Sequence, residues 1–247
     1  MYLILAISII FFYFVMQSIE LASFASRLAG RISSNLALGT TVHNTMYVGS
    51  RFFLVPFLPI LAYLVETGIA INDYLIIVIS SLGSALIMSI IVLYKINYLQ
   101  VFFQIVFKKN IDNHLPTALF KSLFFIGKEK FSFDTCALFS FKMLRMKKVI
   151  VSFVAYSFLV TGFFVAFSLA IIFPEYQLTL SQSTAVFHGF GAVIVAFYLD
   201  PMLSRSMDKL DNDQEWLINA YSILFGRAIS YFVSCISFTV FLLFVNL

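Results

Sequence analysis

The chain has 247 residues, of which 61% are hydrophobic and only 11% are charged, and its net charge is +4. A soluble domain carries about 25% charged residues, so this composition excludes a soluble enzyme, a nucleic-acid-binding domain and a disordered regulator. The two cysteines, Cys136 and Cys235, match neither a disulfide framework nor a zinc-ligand pattern. The mean hydropathy of +0.98 is typical of an integral membrane protein.

Long uncharged stretches predict six membrane-spanning helices and therefore an all-α, polytopic membrane protein. A helix needs about 20 apolar residues to cross the hydrocarbon core of a bilayer, which is about 30 Å thick. Pro56 and Pro59 should kink the second span, because proline removes a backbone donor. In one integral membrane domain, 1–247, the predicted spans are 2–24, 36–65, 74–94, 149–173, 182–199 and 216–245.

The lysines and arginines predict the orientation in the membrane. Ten of the 16 lie in the connection 95–148, whereas the connections 66–73 and 174–181 contain none. The other basic connections are the first, with Arg27 and Arg31, and the last, with Arg205 and Lys209. The positive-inside rule then places the basic connections in the cytoplasm and both termini outside.

The connection 95–148 has the pattern of amphipathic helices. Gln100, Gln104 and Lys108 recur every four residues beside apolar neighbours, which predicts a helix that could continue the third span. A break at 110–116 precedes a second amphipathic stretch at about 117–147. These helices would lie against the headgroups of anionic membrane lipids, or they would form a gate or docking surface for an anionic lipid-linked substrate.

Charged and polar side chains also lie inside the predicted spans. A charge at that depth costs roughly 2.5–3.5 kcal/mol, so each one indicates a function by default. On the first, second and sixth helices these residues form one stripe each: Glu20, Arg27 and Arg31; Thr40, Asn44, Tyr47 and Arg51; and Arg227, Ser230, Tyr231 and Ser234. If the stripes face each other, they enclose a hydrated, cationic cavity that opens to the cytoplasm.

The same residues also have a purely structural interpretation. Arg27 and Arg31 would then reach the inner interface with their long side chains, and Glu20 would form a structural ion pair with an arginine. Arg51 fits this interpretation least, because it lies too deep in the second span to reach the cytoplasmic edge easily.

Sequence motifs of common catalytic sites are absent. The chain has no nucleotide-binding, zinc-protease or serine-hydrolase motif and no intramembrane carboxylate cluster for a metal. No cysteine or serine accompanies His43 or His188 at a spacing that suggests a nucleophile, and hydrogen bonding between helices is the favoured role over proton relay. We therefore expect no metal, cofactor or nucleic acid and disfavour an enzyme, with an intramembrane enzyme left open as an alternative.

Three short motifs of the chain are similar to motifs of a known protein family, in the same order. They are Ser26-Arg27-Leu28-Ala29-Gly30 with Glu20 upstream, Asn44-Thr45 and Ser50-Arg51 followed by Pro56, and Asp200-Pro201 with Ser204 and Asp208. In these motifs the chain resembles the Amj family, the alternate lipid II flippases of bacteria. It departs from the family pattern at Phe52, Phe53 and Leu54, where polar residues are expected, so another polyprenyl-linked glycan is an alternative substrate.

The resemblance implies undecaprenyl pyrophosphate with a sugar headgroup as the substrate, in the bacterial inner membrane. Guanidinium groups match phosphate oxygens, and hydroxyl and amide groups match sugars. The expected headgroup ligands are Arg27, Arg31, Arg51, Arg227, Asn44 and Tyr47. The expected coupling or gating residues are Glu20, His43, His188, Asp200 and Asp208.

Lipid II is the leading substrate, moved to the outer leaflet by alternating access without ATP hydrolysis. Two other functions stay open: export of an O-antigen or capsule repeat unit on the same carrier, and a non-transporting scaffold that docks glycan-synthesis enzymes through 95–148. Six helices are few for enclosing such a headgroup, which leaves a homodimer open although no residue specifies one.

Overall fold

The computed structural model describes residues 2–110, 114–123, 144–208 and 215–245, which are almost entirely helical and contain no strand. The prediction of six spans is confirmed, because six helical segments are long and apolar enough to cross a membrane. In chain order, the first to sixth spans are Tyr2–Ile32, Leu36–Glu66, Ile71–Asn110, Met146–Ile172, Pro174–Asp208 and Glu215–Val245.

Two of the spans are broken into several helices. The helices are α1 (Tyr2–Ile32), α2 (Leu36–Ser50), α3 (Leu54–Glu66), α4 (Ile71–Asn110), α5 (Leu115–Leu123), α6 (Met146–Ile172), α7 (Gln177–Gln182), α8 (Thr184–Ile194), α9 (Asp200–Asp208) and α10 (Glu215–Val245). A 3-10 turn, Arg51–Phe53, joins α2 to α3, and a π-helical turn, Val195–Leu199, joins α8 to α9.

The first span corrects one prediction. Helix α1 continues to Ile32, so Arg27 and Arg31 lie on the helix and not in a connection after residue 24. Arg27 is buried in the protein, which explains how the helix extends beyond its purely apolar segment. An ion pair replaces the water that a charged residue would otherwise need.

The second span is broken near Pro56, as predicted, whereas Pro59 lies inside α3. The helical hydrogen bonding tightens to a 3-10 turn at Arg51–Phe53, which ends three residues before Pro56. The ring of a proline clashes with the carbonyl four residues earlier, which here belongs to Phe52.

The predicted extension of the third span is also present. Helix α4 runs 40 residues, with a kink at Lys95, where φ and ψ depart from helical values. The described part of α4 ends at Asn110, and the predicted break at 110–116 includes residues 111–113, which lie outside the described residues. Helix α5 covers the beginning of the second amphipathic stretch, of which residues 124–143 also lie outside the described residues.

The spans pack in an order that differs from their order in the chain. The second packs on the first, the first on the third, the third on the sixth, the sixth on the fourth and the fourth on the fifth. The first and sixth spans therefore both pack against the third. We call the end where α1 finishes and α10 begins the basic end, because the Lys- and Arg-rich connections lie there.

Glycines permit the closest helix crossings. A Cβ on Gly39 of α2 would lie 2.7 Å from the backbone oxygen of Ser26 and 2.8 Å from the Cα of Gly30, both in α1. The Ser26 hydroxyl donates a hydrogen bond to the Gly39 carbonyl at 3.0 Å across this contact. Small residues let helix backbones approach within a membrane, where no hydrophobic effect drives association.

Substitution of Gly191 should test such a crossing. A Cβ there would lie 2.6 Å from Leu159 Cγ and 2.7 Å from the Ala155 carbonyl, whereas a Cβ on Gly189, two residues away, meets nothing within 4 Å. We expect Gly191→Leu to lower the free energy of unfolding by about 1–3 kcal/mol through overpacking. Thermal unfolding of the purified protein measures this, and an equal loss in Gly189→Leu would show that the crossing is not the cause.

Candidate functional site

The centre of the candidate site is a buried ion pair between the first and sixth spans. Arg227 Nη2 donates to Glu20 Oε2 at 2.8 Å and to Gln17 Oε1 at 2.6 Å. Arg227 Nε donates to the Tyr231 hydroxyl at 3.0 Å, and that hydroxyl donates to Gln17 Oε1 at 2.5 Å. The side chains of Glu20 and Arg227 are each only 5% exposed, so the protein itself compensates both charges.

This pair lies deep in the bundle. Twelve residues separate Glu20 from Ile32 at the end of α1, and twelve separate Arg227 from Glu215 at the start of α10. At 1.5 Å per residue, both groups lie about 18 Å from the basic end. Both helices have 31 residues, so the pair lies within three residues of the middle of each.

Arg51 is the second guanidinium at Glu20. Its Nη2 lies 3.3 Å from Glu20 Oε1 and also donates to the Tyr47 hydroxyl, and its Cζ lies 4.5 Å above the Tyr47 ring. Its Nη1 donates to His188 Nε2 at 2.9 Å, which links the second span to the fifth. The Arg51 side chain is 23% exposed, and it is therefore the more accessible of the two arginines.

One carboxylate thus serves two guanidinium groups. Glu20 accepts a further hydrogen bond from the Ser50 hydroxyl at 3.2 Å, and the Tyr156 ring lies 4.6 Å from the Arg227 Cζ. Glu20, Arg51 and Arg227 together carry a formal charge of +1. A positive surplus in a medium of low dielectric constant attracts an anion strongly. We call Gln17, Glu20, Tyr47, Ser50, Arg51, Tyr156, His188, Arg227 and Tyr231 the central cluster.

Arg27 belongs to a separate ion pair. Its Nη1 donates to Asp200 Oδ1 at 2.6 Å, and its Nε is buried without a hydrogen-bond partner among the described residues. Arg27 follows Glu20 by seven residues, about 10 Å nearer the basic end. The Arg27 side chain is 5% exposed and that of Asp200 is 42% exposed, so the pair lies at the border between the interior and the surface.

The chain matches a protein-family model, described as Amj: Alternate to MurJ, over residues 12–242. The chain belongs to the Amj family. No curated protein and no solved structure matches it.

Family membership confirms the resemblance based on the three motifs, and the structure shows how two of them meet. The motif of α1 supplies Arg27, and the motif at the start of α9 supplies Asp200, its partner. The remaining motif supplies Ser50 and Arg51, which both contact Glu20. In this Amj-family chain, the motifs are therefore connected through polar side chains.

The two histidines that were predicted as coupling or gating residues, His43 and His188, have different surroundings. His43 Nδ1 lies 3.0 Å from the Ser23 hydroxyl, and its ring packs against Phe24. These are the contacts of a residue that holds α2 on α1. His188 stacks on Phe163, with ring centroids 5.0 Å apart, and contacts Arg51 directly. It is therefore the histidine of the central cluster.

Three predicted residues lie away from the central cluster. Asn44 is exposed on α2, Asp208 is exposed at the end of α9, and Arg31 is half-buried in the last turn of α1. Arg31 is eleven residues from Glu20, about 16 Å along the helix. The ion pairs and hydrogen bonds described above for Glu20, Arg51 and Arg227 come from other residues.

The prediction of an open cationic cavity around Arg27, Arg51 and Arg227 is wrong for this conformation. Arg51 and Arg227 do converge, but on Glu20, whose charge the prediction had not placed between them. Arg27 is paired with Asp200 instead. Because the two acidic groups neutralise most of the positive charge, the side chains pack closely and Arg27 and Arg227 are almost unexposed.

Two members of the cluster were missed in the sequence. Gln17 had a usable signal, because it is a polar residue three positions before Glu20 on the same face of an otherwise apolar helix. Tyr156 had none, since aromatic residues make up 18% of the chain and nothing distinguishes this one. Its place beside Arg227 depends on how α6 packs against α10.

Proposed function

We propose that this chain is a flippase that moves an undecaprenyl-pyrophosphate-linked glycan, with lipid II as the first candidate, from the cytoplasmic to the outer leaflet of the bacterial inner membrane. The family is described as an alternate to MurJ, which implies a lipid II flippase and a transporter as opposed to an enzyme. The positive surplus of the central cluster, buried near the middle of the first and sixth spans, suits a substrate with a phosphate headgroup.

The pairing of Arg51 with Glu20 carries this proposal. The distance of 3.3 Å between Arg51 Nη2 and Glu20 Oε1 is longer than the 2.8 Å between Arg227 and Glu20, and Arg51 is partly exposed. An arriving pyrophosphate offers oxygens that match the planar guanidinium better than one shared carboxylate oxygen does. The headgroup would therefore replace Glu20 as the partner of Arg51, while Glu20 keeps Arg227 and Ser50.

Arg227 has the role of a positioning residue in this proposal. Its Nη2 and Nε donors are engaged by Glu20, Gln17 and Tyr231, and its side chain is only 5% exposed, so a ligand reaches it less easily than it reaches Arg51. It fixes the carboxylate that Arg51 must release. Tyr47 and His188 flank Arg51 and would supply polar contacts to the phosphate or to the first sugar.

Alternating access requires that the bundle open at each end in turn. In the structure, Arg27 and Asp200 connect the first span to the fifth on the side of the basic end. Asp200 is 42% exposed, so water can solvate its carboxylate when the pair separates, which lowers the cost of opening. The π-helical turn Val195–Leu199 just before it is a natural place for α9 to swing.

The membrane potential would drive transport outward. With the basic end in the cytoplasm and both termini outside, an anionic headgroup moves from the negative to the positive side. Two phosphate charges gain roughly 5 kcal/mol per 100 mV on crossing. The protein then only has to lower the barrier for the polar headgroup, and no nucleotide is needed.

Complementation tests the proposed function. In cells depleted of their main lipid II flippase, expression of this chain should restore growth and the amount of lipid II accessible at the outer surface. Rescue would establish lipid II as a substrate. Normal insertion without rescue would contradict it, and the same assay with an O-antigen or capsule repeat unit then tests the rival substrate. A scaffold would restore neither surface signal.

A further inference from the structure

A second polar pocket lies at the basic end of the bundle, apart from the central cluster. It has a volume of about 320 Å³ and opens between α6, the fifth span and α10. Its polar lining includes Lys148, Arg205, Glu215 and Asn219, and its outer edge is formed by Phe197 and Tyr198. Nothing in the proposed transport step through Arg51 requires this pocket.

The charges of the pocket favour an anion. Lys148 donates one hydrogen bond to Asn219, and an ammonium group has three donors, so two remain. Arg205 lies exposed on α9 across the pocket. The acidic residue, Glu215, accepts a hydrogen bond from Arg145 at 2.8 Å, so its charge is already compensated. Lys148 and Arg205 thus leave a surplus of two positive charges.

The edge of the pocket favours a lipid. Phe197 is 81% exposed and Tyr198 is 55% exposed, and both lie on the fifth span, which is apolar enough to cross a membrane. Aromatic side chains next to basic groups are typical of the boundary between hydrocarbon and headgroups. A molecule that places a phosphate between Lys148 and Arg205 can therefore keep its hydrocarbon tail in the membrane beside the two rings.

The charge and position of the pocket distinguish among phosphate-bearing lipids. Two negative charges are needed to match the surplus of Lys148 and Arg205, and a pyrophosphate supplies them, whereas an ordinary phospholipid phosphate carries one. The pocket lies next to the ion pair of Arg27 and Asp200, because its residue Pro201 directly follows Asp200. It is nearer the basic end than Arg227 is, because its residue Asn219 precedes Arg227 on α10 by eight residues, about 12 Å.

We propose that this pocket is a loading site, where the pyrophosphate of the lipid-linked substrate binds at the membrane surface before it passes Arg27 and Asp200. This inference rests on the proposed function and adds a first binding step to it. Binding at the surface concentrates the substrate next to the ion pair that must open. The loading site acts on substrate capture and leaves the transport step at Arg51 unchanged.

The test compares the full chain with Lys148→Gln/Arg205→Gln, which keeps polar side chains and removes both charges. Undecaprenyl pyrophosphate is the probe, with native mass spectrometry for binding and phosphatidylcholine vesicles for flipping. We expect binding to weaken at least tenfold and the substrate concentration for half-maximal flipping to rise, with the maximal rate kept. Lys147→Gln removes one exposed charge from the same helix and should behave as the wild type.

The outcomes separate the inference from the function on which it rests. Unchanged binding and half-saturation in the double variant, with flipping intact, would overturn the loading site alone. Displacement of the probe by equimolar phosphatidylglycerol would also overturn it, because the pocket would then accept any anionic lipid. A wild type that neither binds nor flips the probe would remove the proposed function itself. Arg205→Gln alone, at an exposed position, should still weaken binding if the double variant fails to fold.

Discussion

Arg51→Ala should slow export of the lipid-linked headgroup at least tenfold while the protein still inserts and folds. The substitution removes the partly exposed guanidinium but leaves Glu20 its bonds to Arg227 and Ser50. A hydrogen bond to a charged group contributes about 1.5–3 kcal/mol, so even one lost contact to the phosphate slows transport by roughly tenfold or more. Surface accessibility of lipid II in flippase-depleted cells measures the effect.

Two further variants define the cause. Arg51→Lys keeps the charge but not the planar pair of donors, so its activity should lie between those of the wild type and Arg51→Ala. Asn44→Ala changes an exposed polar residue on the neighbouring helix α2 and should leave export unchanged. Full export by Arg51→Ala at a normal protein level would show that the headgroup does not bind here.

Arg227→Met should have its largest effect on stability. Removing one partner of a buried ion pair costs about 3–5 kcal/mol, because the remaining charge stays buried. Here Arg51 and Ser50 still contact Glu20, so we expect a loss at the lower end of that range. Thermal unfolding of the purified protein, followed by the fluorescence of its single tryptophan, Trp216, gives the measurement.

A double-mutant cycle with Glu20→Gln tests whether the loss comes from this pair. Each single variant loses the contact between Arg227 and Glu20, and the double variant loses that contact only once, so it should lose less stability than the two single variants added together. Additive losses would mean that Arg227 and Glu20 stabilise the bundle independently, and the positioning role of Arg227 would then fail.

Hydropathy and charge determined the membrane architecture without any tertiary information. Uncharged stretches predicted all six spans, because crossing a bilayer demands an apolar segment of about 20 residues wherever it lies in the chain. Pro56 predicted the break near Arg51 for an equally local reason, since the ring removes a donor and clashes within the same turn. The end of α1 was misjudged because an ion pair with a residue far along the chain keeps Arg27 inside the bundle.

The choice of partners was decided by the tertiary structure alone. Helical periodicity shows that Glu20 and Arg27 share a face, but not how each helix is rotated or which helix it meets. Arg227 reaches Glu20 across 207 positions of the chain, and Arg27 reaches Asp200 across 173. Glu20 could pair with any of the arginines by charge alone, so the packing order of the spans selects Arg51 and Arg227. This pairing turns an expected open cationic cavity into a closed cluster whose charges hold one another.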